Sequence, residues 1–358
     1  MKRSSSRRGG YESRLSLRLW DFTGSALVNL FILIFLVSYL SPLTYMLVTA
    51  VKSSDQLSDA GAPILPADAT TFFYDGRERR VYHVPFEDGE RVLALVEPHT
   101  AYSMFIDPQD PQAGPIRWDG SYRRLEGVYH FSVHLENFTN LWESIDYGLL
   151  LKNTMIVVAV GEVGILVASI FVAYGFSRFR VPGGKFLFFL LIATIMIPDS
   201  ITLVPTFFMY SKKILGWTGS FLPLIVPNLF GSAIYIFLLR QNFKSIPRDL
   251  DEAAMIDGAG PMRTLVSIIL PQALPAVVTV GLLHFFNAWN ELRMASLYLS
   301  TRQDLRTMPF SAQAFITYGF TPEVLQASAI VLMLIPVVVL FLAQRFFMQD
   351  MVVTGMEK

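Results

Sequence analysis

Long apolar runs, separated by charged and polar loops, dominate the pattern of hydrophobic and polar positions along the chain. A helix needs about 20 mostly apolar residues to cross a bilayer, because the hydrocarbon core is about 30 Å thick. Six runs reach that length, over 25–50, 147–174, 185–210, 219–239, 268–300 and 322–347. The pattern therefore predicts an all-α polytopic membrane protein with six transmembrane helices.

The segment between the first two runs has a different pattern. Apolar and polar residues alternate along 81–86, 91–97, 102–106 and 122–135, which is typical of strands. Turn-forming residues, among them Gly76, Gly89 and Pro108, separate these stretches. We expect a small β-rich insertion here.

Basic residues orient the predicted helices. Lys and Arg cluster before the first run, after the second and after the fourth, so those loops and both termini are expected to be cytoplasmic. The first run is too long for a signal peptide and is followed by Lys52, which favours an uncleaved anchor. The predicted organisation is a basic cytoplasmic tail (1–24), a first transmembrane helix (25–51), an extracytoplasmic β-rich insertion (52–146), a core with five transmembrane helices (147–348) and a cytoplasmic tail (349–358).

Composition agrees with a membrane protein. Apolar residues make up 53% of the 358 residues and charged residues 16%, against about 25% charged residues in soluble domains. The formal net charge is zero, so nucleic acid is not an expected partner, whereas membrane lipid is. Cysteine is absent, and the five histidines form no ligand pattern, so neither a metal site nor a catalytic residue is expected. His130 and His134 are four residues apart but have no carboxylate partner in view.

The loop over 241–270 has the most distinctive pattern. Asp249 is suited to the N-cap of a short helix, and Gly258 can take the positive φ that ends one. Pro261 then begins a second short helix, which Pro271 interrupts. We expect two short helices joined by a glycine elbow, forming a rigid projection that fits a cleft on another protein. The alternative is an ordinary amphipathic helix at the membrane surface.

Particular residues of this loop resemble a known family. Glu252-Ala253-Ala254, then Gly258, then Ile269-Leu270-Pro271 resemble the EAA motif of ABC importer permeases. The phrase 246–260 and the stretch 287–291 are similar to the sugar-transporting, maltose-type branch. The resemblance covers about 20–50 and 133–350, and it leaves the β-rich insertion unexplained.

The resemblance implies a type I importer permease fold and a mechanism. The loop would seat in a groove of a cytoplasmic ABC ATPase dimer, and a second homologous permease and an extracytoplasmic solute-binding protein would complete the assembly. Coupling to the ATPase would fall to Glu252, Ala253, Ala254, Asp257, Gly258 and Pro271. The chain has no phosphate-binding G-x-x-x-x-G-K-[ST] motif, so no cofactor is expected in it, and ATP and Mg²⁺ would bind to the partner ATPase.

Polar residues in the predicted helices are candidates for a translocation pathway, because they are costly in hydrocarbon unless they face a cavity or a partner helix. The candidates for substrate contact are Asn287, Trp289, Asn290, Glu291 and Asp199. Helix–helix packing is the alternative, and it is favoured for Glu162 and His284.

The predicted function is that of a non-enzymatic permease subunit for a carbohydrate. Importers of glycerol-phosphate or polyols share this pattern, so the solute stays open. Two alternatives of another class are a stand-alone secondary transporter and a membrane-anchored receptor module. The insertion is expected to dock or position the binding protein, or else to cover the neighbouring subunit.

Overall fold

The computed structural model describes residues 10–87, 89–317 and 319–354. In this part of the chain, the helices are α1 (Gly10–Thr49), α2 (Ser54–Ser58), α3 (Glu136–Ser144), α4 (Tyr147–Arg178), α5 (Gly184–Ile195), α6 (Asp199–Tyr210), α7 (Leu222–Ile225), α8 (Ala233–Ser245), α9 (Asp249–Ile256), α10 (Pro261–Thr264), α11 (Leu270–Gln272), α12 (Leu274–Trp289), α13 (Arg293–Leu299), α14 (Met308–Thr317) and α15 (Pro322–Thr354). The strands are β1 (Ala67–Ala69), β2 (Thr71–Tyr74), β3 (Arg77–Phe86), β4 (Gly89–Pro98), β5 (Ser103–Ile106), β6 (Ile116–Trp118), β7 (Glu126–Gly127) and β8 (Tyr129–Phe131).

The chain forms two compact units. The first comprises the described residues up to Asn137 together with Thr321–Ala327, and the second comprises 138–320 and the described residues from 328 onwards. In the first unit, α1 begins at Gly10, so the part of the predicted tail from there onwards is helical and continues into the apolar run. Residues 1–9 of that tail lie outside the described residues, as do 355–358 of the predicted C-terminal tail.

Antiparallel strands fill the segment of alternating residues. β2, β3, β4, β5 and β6 pair in that order, β7 pairs with β3, and β1 forms a separate pair with β8. Because neighbouring residues of a strand point to opposite faces, β3 buries Tyr82 and Val84 on one side and Val81 on the other. Tyr82 lies opposite Leu93 and Val81 opposite Ala94, so both faces of the sheet carry apolar packing.

His134 links the end of this segment to β1. The Nε2 atom of His134 lies 2.8 Å from an oxygen of Asp68, and its Nδ1 atom contacts the carboxylate of Glu136. Glu136 and Asp68 raise the pKa of His134. The expectation that His134 lacks a carboxylate partner is therefore wrong, because β1 brings Asp68 from a distant part of the sequence.

A second polar cluster holds the segment after α2. The Tyr129 hydroxyl donates to Asp59 at 2.7 Å, and Arg80 contacts the same carboxylate oxygen at 3.0 Å. Burial and the bond to Asp59 raise the pKa of Tyr129 to about 12, and the Tyr129 hydroxyl lowers the pKa of Asp59.

In the second unit, α4 is the central helix and packs against α8 and α12. The core around it includes Tyr235, Leu239, Phe243, Leu265 and Ile269, all buried. Gly164 allows a close approach, because a Cβ there would lie 2.6 Å from a methyl carbon of Leu229. The long apolar sequence of α4 is thus buried against other helices along one side.

Four helical segments of the described chain are long and apolar enough to cross a membrane by themselves: Gly24–Thr49, Tyr147–Arg178, Leu222–Ser245 and Pro322–Phe346. The predicted third and fifth spans are not single helices. α5 and α6 meet at 94°, and the segment Pro261–Gln272 meets α12 at 81°. Pro198 takes an extended conformation at the first bend, and Pro271 and Pro275 flank the second, where proline lacks a backbone donor. The described chain therefore has four spans, or up to six if each bent pair is one span.

Candidate functional site

The loop over 241–270, which we call the EAA loop, folds as two short helices joined at Gly258. α9 ends in a Schellman motif, in which the Ala259 amide donates to the Ala254 carbonyl and the Gly258 amide to that of Met255. This motif requires a left-handed residue, and Gly258 supplies it with φ of 77°. Asp249 does not cap the helix as predicted. It is the first helical residue, and Arg248 occupies the N-cap position, with its carbonyl accepting from the Asp251 amide.

The EAA loop is fastened to the end of α4. Arg178 Nε lies 3.1 Å from an oxygen of Asp251, with the two side chains only 7% and 14% exposed. Arg178 Nη2 also donates to the carbonyl of Ile246 at 3.1 Å, and the Tyr174 hydroxyl donates to that of Pro261 at 3.1 Å. These contacts hold α9 and α10 to one helix.

The outer side of the loop is exposed and partly apolar. Ile256 is 87% exposed, and Met255 and Met262 are more than half exposed. A cavity of about 310 Å³ between the loop and the end of α4 is lined in part by Arg248 and Glu252. Of the predicted coupling residues, Ala254 is buried, whereas Glu252, Ala253, Asp257, Gly258 and Pro271 are exposed.

A second cavity, of about 420 Å³, lies among α4, α6, α7, α12 and α13. Asn287 and Glu291, two of the candidates for substrate contact, line it. Asn287 Nδ2 donates to the Tyr235 hydroxyl at 3.2 Å, and Glu291 Oε1 accepts from the Met294 amide at 2.8 Å. Each side chain thus has one hydrogen bond within the protein, while Asn287 is exposed and Glu291 is half-buried.

The other three pathway candidates lie elsewhere. Trp289 is 3% exposed and stacks on Phe285, because it points into the helix packing. Asn290 is exposed, and its side chain donates to the Phe286 carbonyl one turn earlier. Asp199 is exposed at the start of α6, where Arg293 lies 3.5 Å away. None of these three is among the residues that line the cavity.

Sequence reasoning underestimated His284. Its Nδ1 atom lies 2.7 Å from Glu162 Oε2, which agrees with the predicted packing role of both residues, but His284 also lines the cavity. The sequence did contain a signal for this position: His284 precedes Asn287 by three residues, which places both on the same helix face. Asn228, which also lines the cavity, gave no such signal, because it lies in a short helical segment rather than on a periodic face. Arg178 belongs to the basic cluster after the second apolar run, and its contact with Asp251 has no signal in the sequence.

The apolar helices of the second unit thus surround a cavity that is lined in part by polar side chains, and they carry an exposed loop. The chain belongs to the family described as binding-protein-dependent transport system inner membrane component, whose sequence model matches residues 164–353. It is therefore an ABC importer permease, a multi-pass subunit of the inner membrane. The β-rich segment lies outside the matched residues.

Individual relatives agree with the family. The chain is 29% identical to a probable ABC transporter permease of Pyrococcus horikoshii, over 65% of this chain and 86% of that protein. It is 28% identical to the osmoprotective compounds uptake permease GgtD of Synechocystis sp., over 72% and 86%, and 30% identical to the sn-glycerol-3-phosphate permease UgpE of Yersinia pestis, over 61% and 79%. A chain of a bacterial ABC transporter that imports alginate has the same fold, with a TM-score of 0.59, 19% identity and coverage of 97% and 100%.

Proposed function

We propose that this chain forms half of the translocation pathway for a carbohydrate and that its EAA loop couples the pathway to a cytoplasmic ATPase. The observation that carries the proposal is the EAA loop, which is fastened to α4 yet exposes Met255, Ile256 and Met262 on its outer side. Met255 and Ile256 precede the bent pair that begins at Pro261, and apolar side chains on such an exposed projection are suited to a protein partner. ATP and Mg²⁺ would bind to that partner.

The assembly that follows from this role has further members. A second homologous permease supplies the other half of the pathway, and an extracytoplasmic solute-binding protein delivers the solute. With each bent pair counted as one span, the chain crosses the membrane six times, both termini are cytoplasmic and 52–146 lies outside. In that position the β-rich insertion docks or positions the binding protein.

The solute is a carbohydrate or a related polyol. The stretch 287–291 is similar to the sugar-transporting branch, and relatives bear names that specify uptake of osmoprotective compounds and of sn-glycerol 3-phosphate. Glycerol-phosphate import is therefore the second candidate function, which the UgpE relatives favour.

The test measures how much ATPase is recovered with the chain from native membranes. Ile256→Asp places a charge at the most exposed apolar position of the loop, and Glu252→Lys reverses the charge at the cavity rim. We expect each change to reduce recovery of a P-loop ATPase at least tenfold, measured by quantitative mass spectrometry of the purified complex. Glu78→Lys, at an exposed position of β3, is the matched control and retains wild-type recovery. Equal recovery with all three variants would contradict coupling through the EAA loop.

A further inference from the structure

A groove runs along one side of α1 and continues beyond the end of that helix. It has a volume of about 730 Å³, and its other wall is formed by residues of the segment 56–64, which belongs to the same compact unit as α1. We call it the α1 groove. Its lining includes Leu36, Val37, Leu40, Val48, Lys52 and Ile64.

The length of the α1 groove matches one leaflet of a bilayer. The residues that α1 contributes run from Leu36 to Thr49, which at about 1.5 Å per residue extend over about 20 Å. Half of a hydrocarbon core of about 30 Å is about 15 Å. These residues form the last part of the segment Gly24–Thr49, which is long and apolar enough to cross a membrane. The apolar wall of the groove therefore lies at the depth of lipid acyl chains.

The far end of the groove carries a cation. Lys52 is the only Lys or Arg among the described residues that line the groove, and it follows the end of the apolar segment by three residues. Its ammonium donates to the carbonyl of Pro63 over 3.4 Å and has no carboxylate partner among the described residues. Burial lowers the pKa of Lys52. An anionic group at this position would stabilise the charged ammonium.

The other polar groups of the groove are compatible with an anion. Asp59 contacts Arg80 at 3.0 Å and accepts from the Tyr129 hydroxyl at 2.7 Å, so its charge is offset within the protein. The hydroxyl of Thr49 is buried and has no hydrogen-bond partner among the described residues. Since buried polar groups are normally paired, Thr49 is an unused donor near the end of the span.

Buried amide side chains hold the backbone around this end of the groove. Gln56 is buried, and its side chain donates to the carbonyl of Pro63 at 2.9 Å. Asn137, also buried, donates to the carbonyls of Ala50 and Lys52 at 3.0 and 2.9 Å. The groove is therefore pre-formed, which reduces the ordering cost of binding.

We propose that the α1 groove binds one phospholipid, with an acyl chain along Leu36, Val37 and Leu40 and the phosphate at the ammonium of Lys52. An apolar wall at membrane depth that ends at a half-buried cation matches the amphipathic character of this ligand. A free phosphate ion would leave the apolar wall without a partner, so a lipid is the expected source of the phosphate. The inference depends on neither the transported solute nor the ATPase.

The first experiment titrates dioleoyl phosphatidylglycerol into the full chain, purified in detergent and stripped of lipid, and follows bound lipid by native mass spectrometry. Val37→Trp fills the groove. Val28→Trp is the matched control, because the two valines are 61% and 57% exposed and lie nine residues, or about 2.5 turns, apart on opposite faces of α1. We expect Val37→Trp to raise the Kd of the tightest binding event about tenfold and Val28→Trp to leave it within twofold. Equal Kd values in the two variants would overturn the proposal.

Variants at Lys52 test the position of the phosphate. Lys52→Met should raise the Kd about tenfold, because it removes a charge-assisted contact, whereas Lys52→Arg should keep it within twofold of the wild type. Diolein, which has the same acyl chains but no phosphate, should bind at least tenfold more weakly than phosphatidylglycerol. Wild-type affinity in Lys52→Met, equal binding of diolein, or displacement of the lipid by inorganic phosphate would each contradict the proposed site.

A helix of another subunit is the alternative occupant in the complete transporter. The chain contains no cysteine, so Val37→Cys and Val28→Cys each provide a single labelling site in a transporter whose other subunits lack cysteine. A phospholipid with a nitroxide on its acyl chain should quench a fluorophore at position 37 at least as strongly as one at position 28. Weaker quenching at position 37 would show that protein covers the groove, and it would refute the lipid site.

Discussion

The ion pair between Arg178 and Asp251 is expected to determine how firmly the EAA loop is held. Arg178→Met keeps an unbranched side chain but removes the guanidinium, which contacts Asp251 and donates to the carbonyl of Ile246. The change leaves the carboxylate of Asp251 nearly buried without its cation. The loop should then open from α4 more often.

The magnitude follows from burial. Removing one partner of a buried ion pair typically costs about 3–5 kcal/mol. The Nε–Oδ2 contact is close enough for an ion pair but not aligned as a hydrogen bond, and the adjoining cavity can admit water. We therefore expect a cost below that range, about 2–3 kcal/mol in the free energy of local opening. Since about 1.4 kcal/mol is a factor of ten, opening becomes about 30- to 150-fold more frequent.

Hydrogen exchange of the amides over 249–264, in the purified chain, measures this opening directly. Arg180→Met is the matched control, because Arg180 is exposed near the same helix end. The double variant Arg178→Met/Asp251→Leu should return exchange to within about fivefold of the wild type, since no buried charge remains. Exchange in Arg178→Met within threefold of the Arg180→Met control would refute the reasoning.

Two further predictions concern the glycine elbow and the external histidine. Gly258→Ala should accelerate exchange in α9 about fivefold, since its φ of 77° costs alanine about 1 kcal/mol, whereas Gly260→Ala, at φ of −74°, should not. Glu136 and Asp68 raise the pKa of His134 in the folded protein. Their contacts with the protonated imidazole therefore stabilise the fold fully below the ordinary histidine pKa of about 6.5, and this stabilisation is lost as pH rises through the raised pKa. The melting temperature of the purified chain should therefore fall between pH 6 and 8 in the wild type and in the control His83→Gln, but much less in His134→Gln; an equal fall in all three would contradict the assignment.

Local chemistry decided which elements could be predicted. Long apolar runs located α1, α4 and α15, since twenty apolar residues have few alternatives to a spanning helix. The bends in the third and fifth runs were not predicted in size, because a proline shows where a helix can break but not the angle at which the halves pack. The strands follow the alternating stretches, yet their order depends on pairings between distant residues.

In the candidate sites, too, local features could be predicted from the sequence but contacts between distant residues could not. Gly258 was predictable, because a left-handed elbow has a strong sequence preference. Asn287 and Glu291 were predictable, because helical spacing places these polar residues on one face. The same sequence stretch did not show that Trp289 is buried in the helix packing. Arg178–Asp251 and Glu162–His284 join residues 73 and 122 positions apart, and one sequence contains no record of such contacts.

The two candidate sites are physically joined by α4. Arg178 at its end contacts the EAA loop, Glu162 near its middle contacts His284, and Asn153 near its start donates to the carbonyls of Asp304 and Arg306. At about 1.5 Å per residue, these contacts span about 38 Å of a continuous helix. A displacement of the loop that preserves the Arg178 contact would therefore move one end of the helix whose Val157 lines the cavity. In the proposed function, coupling between the loop and the cavity would therefore need no relay through flexible segments, and it would depend on the ion pair between Arg178 and Asp251.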